Sequence, residues 1–304
     1  MSETKPLCGF INVLKPPGMS SAHVVGMVRR MLDGEKVGHA GTLDPEAAGV
    51  LPVMVGKAAR LFDYMQDKEK AYVAEIAFGA ATDTQDAQGT VIETGGQYPD
   101  EAALREAVKG FVGKGTQRPP MFSALKQNGR CLYELARQGQ TVDIPEREVT
   151  VHSLEVASMT KNYGALLHVR CSKGFYVRTL CDDLGRALHC PAHMRFLLRT
   201  QSGVFTLETA ATLEELQEAK ENGTLRNKVL PPETALGHLP GCQLPSGLEN
   251  ALRNGGTMPW KRFAALHDTP AQDGKPACIW LNDELVAIVE RQGERMKTRT
   301  WLGA

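Results

Sequence analysis

The spacing of apolar and polar residues changes several times along the chain, and each change predicts an element. Ser20-Ser21 precede Val24, Val25, Met27, Val28, Met31 and Leu32, a helical apolar stripe that closes at Gly34. From residue 35 to 56, Gly38, Gly41, Pro45, Gly49, Pro52 and Gly56 break the apolar pieces. That density predicts a loop of demanding backbone geometry entering a buried strand near Val50 to Val55. Alternation from Tyr72 to Phe78 predicts a strand. Asp100 is placed to cap a helix carrying Leu104, Ala107, Val108 and Phe111.

The middle of the chain predicts a loop over 113–130, basic and broken by proline, then a short helix from Leu132 to Arg137 ending at Gly139. Strands are expected near 149–157 and 165–172, and helices near 177–188 and 192–199. Thr212 and Glu215 have capping-box spacing, as do Ser246 and Glu249. Pro231-Pro232 and Pro240 mark a linker. Beyond it two β-like runs, 277–281 and 285–291, meet across Asn282-Asp283. These patterns predict a body over 1–240 and a small β-rich module over 241–304, with no internal repeat.

Composition narrows the class. With 304 residues, 42% hydrophobic and 23% charged, the chain suits a globular protein with a sizeable core. The sequence contains no apolar run of membrane-spanning length, and Met1 to Lys5 do not resemble a signal peptide, so the expected location is the cytoplasm and no membrane partner is expected. Seven scattered cysteines make no C-x-x-C pair and no zinc pattern, and are expected as reduced thiols. Net charge is zero, yet the charges are segregated. Residues 107–133 hold Lys109, Lys114, Arg118, Lys126 and Arg130 without an acid, whereas acids gather between Glu208 and Glu221. A neutral protein with one basic face fits this distribution, and so does chance clustering.

The stretch Gly38-His39-Ala40-Gly41-Thr42-Leu43-Asp44-Pro45 is the most informative. Asp44 lies among small and apolar residues, and Pro45 biases its backbone toward the extended region. Such a carboxylate is either a local turn hydrogen-bonder or a placed acid, and the residues alone leave both open. His39 is equally open between a satisfied core histidine and a working one.

This stretch, followed by Gly49-Val50-Leu51-Pro52-Val53, resembles the catalytic signature of pseudouridine synthases of the TruB type. An upstream apolar run ending in Lys15-Pro16-Pro17-Gly18-Met19-Ser20-Ser21 resembles that family's other hallmark. Lys70-Ala71-Tyr72, Thr82 to Asp86, Pro119 to Lys126, and Lys173 to Leu180 with Asp182 to Gly185 match in order. The resemblance spans about residues 9–205, with small departures such as Ala47-Ala48-Gly49 and Phe175.

The resemblance implies an α+β fold, a mixed, largely antiparallel sheet with flanking helices and the Asp44 loop in a central cleft, followed by a PUA-like RNA-binding module. It implies an isomerase that breaks the N1–C1′ bond of a uridine and rejoins C5 to C1′, without a cofactor. Asp44 matches the essential aspartate, Tyr72 the tyrosine under the target base, and Arg178 the arginine that pairs with the aspartate. Tyr176 and Leu197 match residues lining the uridine pocket, and His39 one that displaces bases. Lys15, Asp86 and Lys126 match positions close to the site or the RNA. The implied substrate is the T-arm stem-loop of tRNA, modified at position 55 by a monomer needing no protein partner, with residues 113–130 clamping the RNA. A guide-RNA-dependent, dyskerin-type synthase and a tRNA-folding chaperone are the alternatives. Two further expectations attach to Arg178: a direct salt bridge to Asp44, and an Asp44 carboxylate that stays ionised well below neutral pH.

Overall fold

A computed structural model describes residues 6–65, 69–127, 129–140, 142–245, 247–266 and 271–303, and at residues 126, 264 and 265 the backbone alone. The chain begins with β1 (Cys8–Lys15), α1 (Ser21–Met31), β2 (Val37–His39), β3 (Ala48–Gly56) and β4 (Lys70–Phe78). A ribbon of β5 (Ala80–Thr82) and β6 (Val91–Thr94) leads to α2 (Glu101–Lys109) and β7 (Gly113–Gln117). A second ribbon, β8 (Lys126–Gln127) with β9 (Arg130–Cys131), precedes α3 (Leu132–Arg137). Then come β10 (Arg147–Thr160), β11 (Gly164–Cys171), α4 (Val177–Ala187), β12 (Ala192–Ser202), β13 (Phe205–Thr206) and α5 (Leu213–Glu221).

The main sheet has the order β1-β3-β12-β4-β11-β10-β7, with β2 also on β3 and β13 also on β12. Its pairs are antiparallel except β3 with β12. That parallel contact covers two residue pairs, Leu198 with Ala48 and Arg199 with Gly49. Gly49 permits it: its φ is 117°, and a Cβ there would stand 2.2 Å from the Arg199 carbonyl oxygen. One face of the sheet carries both sets of helices, because the register puts Val13, Leu51, Leu197, Ala74 and Val169 on the same side. Leu180 and Leu184 of α4 and Leu104 and Val108 of α2 pack on the strands of one cluster. Val24 and Val28 of α1 and Leu216 of α5 pack on Ile11, Leu51 and Val53 in another.

Local signals explain most elements. Ser20 caps α1 through its side chain, Asp100 caps α2, and Thr212 with Glu215 closes a capping box on α5. Two expectations are overturned. Residues 192–199, read as a helix, form β12 near the middle of the sheet. Its pairing with β4 slips between Met194 and Phe196 and again between Arg199 and Gln201, and these bulges break the period of two. Residues 113–117, read as loop, form the edge strand β7 on β10, whereas residues 118–125 are irregular. Gly113 and Gly115 hid the strand pattern, and backbone pairing supplies it.

The second sheet consists of β14 (Gly241–Gln243), β15 (Thr257–Pro259), β16 (Ala264–Ala265), β17 (Pro276–Leu281), β18 (Glu284–Gln292) and β19 (Arg295–Trp301), with α6 (Glu249–Arg253) beside it. Asn282 and Asp283, at φ 48° and 62°, form the expected turn between β17 and β18. Ser246 of the expected second capping box lies outside the described residues. The two sheets share a core: Phe10, Val50 and Leu61 pack in one cluster with Cys278, Ile288 and Leu302. No helix among the described residues is long and apolar enough to cross a membrane.

Candidate active site

Asp44 stands on the loop between β2 and β3, and three buried polar side chains from three elements fix that loop. Lys15, fully buried at the end of β1, donates to the carbonyls of Pro16 (2.8 Å), Met19 (2.5 Å) and Pro45 (2.8 Å). The Ser21 hydroxyl at the start of α1 donates to the Leu43 carbonyl and accepts from the Leu43 N–H, both at 2.9 Å. Arg199 of β12, also fully buried, donates from Nε to Val50 (2.7 Å), from Nη1 to Thr42 (3.2 Å) and from Nη2 to Gly41 (3.2 Å). Backbone carbonyls at 41, 42, 43 and 45 are thus all held by side chains. The loop buries backbone that no strand satisfies, so these donors are structural necessities.

Arg178 meets Asp44 from α4, 134 positions away in sequence. Its Nε lies 3.0 Å from Asp44 Oδ2, and its Nη2 donates to Oδ1 at 3.3 Å, so the expected salt bridge is present. The same guanidinium lies 3.5 Å from Asp86 and donates to the carbonyls of Thr84 (3.3 Å) and Phe122 (2.9 Å). Only 4% of Arg178 is exposed. One planar cation therefore ties together the Asp44 loop, the 82–90 turn and the 118–125 segment, as a five-donor fork can and an ammonium cannot. Asp86 is itself oriented by Thr84 Oγ1 at 2.7 Å and the Gln88 N–H at 3.0 Å.

Tyr72 lies beside this pair on β4. Burial pushes its phenol far above the usual range, although Arg199 within hydrogen-bonding reach works the other way, so it is a protonated aromatic surface. Tyr72, Asp44, Arg178, Tyr176, Leu197 and Ser123 are among the residues lining a cavity of about 260 Å³. Tyr176 enters it just before α4, its backbone N–H and carbonyl clamped by the Gln117 side chain at 2.8 and 3.0 Å. Larger clefts exist, such as one of about 990 Å³ around Lys36, Lys57 and Arg226, but they hold none of these residues.

Of the expected site residues, Asp44, Tyr72, Arg178, Tyr176 and Leu197 line one cavity. Lys15 and Asp86 support it from behind. His39, on β2, accepts from the Gly41 N–H at 3.4 Å and does not line the cavity. Burial, with help from Arg199, holds its imidazole below the usual range. Lys126 has its backbone in β8, and its side chain lies outside the described residues.

The burial of Asp44 works against the expectation that it stays ionised well below neutral pH. Burial raises its carboxyl above the ordinary range; Arg178 opposes this and Asp86 adds to it. The shift is upward even though 37% of the side chain remains exposed, and Arg178 opposes it without reversing it. Burial likewise brings Lys15 down to about 8.

Two residues of this site are not distinguished by the sequence pattern. Arg199 counts there as one base among many on an expected helix; once β12 is a strand it is the largest fully buried side chain among the described residues. Lys70, two positions before Tyr72 and on the same face of β4, also lines the cavity. Its place in the Lys70-Ala71-Tyr72 triplet was the available signal.

Among the described residues no cluster of His, Cys, Asp or Glu could hold a metal ion. The arrangement offers instead a carboxyl, a guanidinium and an aromatic ring around a space of base size. The TruB family pseudouridylate synthase N-terminal domain matches residues 29–177, and the tRNA pseudouridylate synthase B C-terminal domain matches residues 178–237. A protein of Alkaliphilus oremlandii named tRNA pseudouridine synthase B is 41% identical over 95% of each chain. One of the same name from Symbiobacterium thermophilum is 49% identical over 76% of this chain and 77% of its own. Among solved structures, a Cbf5-Nop10-Gar1 complex aligns with a TM-score of 0.72 at 31% identity, covering 97% of this chain and 84% of that one. An H/ACA ribonucleoprotein bound to a substrate RNA containing 2′-deoxyuridine aligns at 0.73 and 28%, covering 97% and 85%. With relatives this similar over nearly the whole chain, and its cavity built from the residues that carried the resemblance, the chain belongs to the TruB family of pseudouridylate synthases.

Proposed function

We propose that this protein isomerises one uridine of tRNA to pseudouridine, at position 55 of the T loop, with Asp44 as the catalytic carboxylate. The observation that carries the reading is the Asp44–Arg178 pair, joined at 3.0 Å across the chain at a cavity that Tyr72 also lines. The base must leave the RNA stack to reach that cavity, at a cost of a few kcal/mol that pocket contacts offset. Tyr72 presents the ring on which the base stacks, Tyr176 and Leu197 close the pocket around it, and Asp44 acts at the ribose. Attack on C1′ and removal of a sugar proton both suit a carboxylate there. His39 assists in displacing the base and its neighbours.

The substrate is recognised mainly by the shape of a folded stem-loop, because A-form grooves hide most base edges. Residues 113–130, with Lys114, Arg118 and Lys126, clamp the RNA, and the module over 241–304 binds RNA as a PUA-like unit. The enzyme works as a cytoplasmic monomer, without cofactor or guide. Against the guide-dependent alternative stands the higher identity, 41–49%, to relatives named tRNA pseudouridine synthase B than to the H/ACA-type structures at 28–31%.

Pseudouridine mapping of unmodified tRNA incubated with the purified protein tests the reading. Conversion confined to the T-loop position, and retained in an isolated T-arm stem-loop, is the expected result. Conversion at other positions only, or none without an added guide RNA, would overturn it.

A further inference from the structure

The cavity holds one cation that the fold leaves unspent. Arg178 and Arg199 each donate to several acceptors, and Lys15 to three carbonyls. Lys70 lines the same cavity, yet among the described residues its ammonium has no hydrogen-bond or ion-pair partner. Glu69, its neighbour in sequence, faces His152 at 3.1 Å and Arg170 at 3.7 Å instead. The Lys70 ammonium lies against the catalytic loop, 3.7 Å from where a Cβ on Gly41 would stand, and the Arg199 Nη1 lies 3.9 Å from that same point. Two cations thus converge on Gly41.

A half-buried, unpaired lysine beside a second buried cation is unfavourable for the fold alone, because desolvation and like-charge repulsion act in the same direction. Both effects lower its affinity for a proton, to about 8, the larger being burial. Such a group is stabilised when a ligand brings an anion. On the roof of the cavity Ser123 shows the same unmet capacity: 4% exposed, its Oγ has no hydrogen-bond partner. Its carbonyl, by contrast, accepts from the Tyr133 N–H at 3.1 Å.

We propose that Lys70 is an anion-binding residue of the cleft, whose ammonium takes an anionic oxygen of the bound nucleotide. The inference rests on the cavity being the uridine site. Two oxygens have that chemistry. One is a non-bridging oxygen of a phosphodiester beside the target. The other belongs to the base: when N1–C1′ breaks, uracil keeps the bonding pair and carries one negative charge shared with O2 and O4. That charge is relieved when C5 bonds to C1′, after which C5 releases its proton and N1 gains one. A lysine two residues from the stacking tyrosine, on the same face of the same strand, is placed for either role.

The test uses the full-length protein and a T-arm stem-loop RNA, with Lys70→Gln and Lys70→Arg as variants. Melting temperatures come first. Removing an unpaired cation is expected to leave the Lys70→Gln melting temperature unchanged or raised, whereas a structural lysine would lower it. Binding is measured across salt concentration in an Asp44→Asn background. A phosphate contact predicts weaker binding and about one fewer counterion released for Lys70→Gln, with Lys70→Arg near the parent. Single-turnover cleavage at saturating enzyme is measured on uridine and on 5-fluorouridine, whose base leaves more readily. A uracil contact predicts at least a tenfold loss for Lys70→Gln on uridine, a smaller loss on 5-fluorouridine, and unchanged binding. Binding, salt slope and single-turnover rate all within twofold of the parent would overturn the proposal, as would a lowered melting temperature that alone accounts for the loss. Wild-type turnover of the same RNA checks the uridine reading separately: if the T-loop uridine is not converted, that reading fails first.

Discussion

Two walls of the cavity are held in opposite ways. The wall that carries Asp44, residues 41–45, is fastened by Lys15, Ser21 and Arg199, all buried and each from a different element. The facing wall, residues 118–125, belongs to no regular element, and the α3 region behind it packs into a small satellite cluster of Leu132, Leu135 and Ile144. It is tied to Arg178 through the Phe122 carbonyl at 2.9 Å. Asp44 therefore sits on backbone that has few ways to move, and the roof rests on a contact that can be exchanged. Stability against opening differs between segments in this manner, and substrate-admitting parts come from the weaker end.

The contrast is broken most severely at Arg199. Replacing it with Met takes its donors from the buried Val50 carbonyl and from the part-buried carbonyls of Gly41 and Thr42, and an acceptor orphaned in a buried place costs about 1–3 kcal/mol. A loss of about 3–5 kcal/mol by denaturant titration is expected, with activity falling further than occupancy of the folded state explains. An unchanged midpoint would show that the loop does not depend on Arg199.

Arg178→Ala comes next. It removes both the Asp44 pair and the anchor of the roof, leaving Asp44 and Asp86 facing each other. Because more than a third of the Asp44 side chain is open to solvent, the stability cost should stay at the low end of the range for broken buried pairs, about 3 kcal/mol. The rate should fall by at least about a hundredfold, or about 2.7 kcal/mol in the barrier. Arg178→Lys should restore neither fully, since a point charge cannot serve Asp44, Asp86 and two carbonyls together. Full rescue by lysine in single-turnover assays would contradict the bridging role.

How much of this was legible in the sequence follows the same division. The Asp44 loop is written in its glycines and prolines, and the resemblance brought Asp44, Tyr72 and Arg178 together before any geometry did. Arg199 was hidden because two bulges disguise β12, so its arginine looked like part of a helical face. The edge strand β7 was hidden because glycines dilute its alternation, and only pairing with β10 makes it a strand. In both cases a long-range backbone partner overrides the local pattern. The effect of burial on the Asp44 proton affinity was not legible for a related reason. Sequence can suggest a partner arginine, but burial, and the division of that arginine among several acceptors, are properties of the fold.

The raised Asp44 affinity for a proton sharpens the comparison through pH. If ionised Asp44 is the working form, activity declines as pH falls through a value above the ordinary carboxylate range. Stability moves the other way for this group: a carboxyl whose folded affinity is raised favours the fold when protonated, so acidification through it does not unfold the protein. Single-turnover rates across mildly acidic pH, beside melting temperatures over the same range, should separate the two. A rate that holds constant down to the ordinary carboxylate range would count against the burial effect.

The smallest effect on the protein itself is expected at the roof. Reversing the charges of Lys114, Arg118 and Lys126 together should change stability little, because Lys114 and Arg118 are exposed and surface substitutions rarely cost more than about 0.5 kcal/mol. Binding of the T-arm stem-loop should weaken, with a shallower salt dependence as fewer counterions are released. Unchanged affinity and slope would remove this segment from the RNA interface.

The central claim is that the carboxyl fixed at position 44 does the chemistry, and Asp44→Asn tests it most directly. The amide keeps the size of the side chain but cannot supply a carboxylate. Single-turnover pseudouridine formation at saturating enzyme should be abolished, while binding of tRNA stays within about tenfold, or about 1.4 kcal/mol. Pseudouridine formed by the variant at a rate comparable to the wild type would contradict the account.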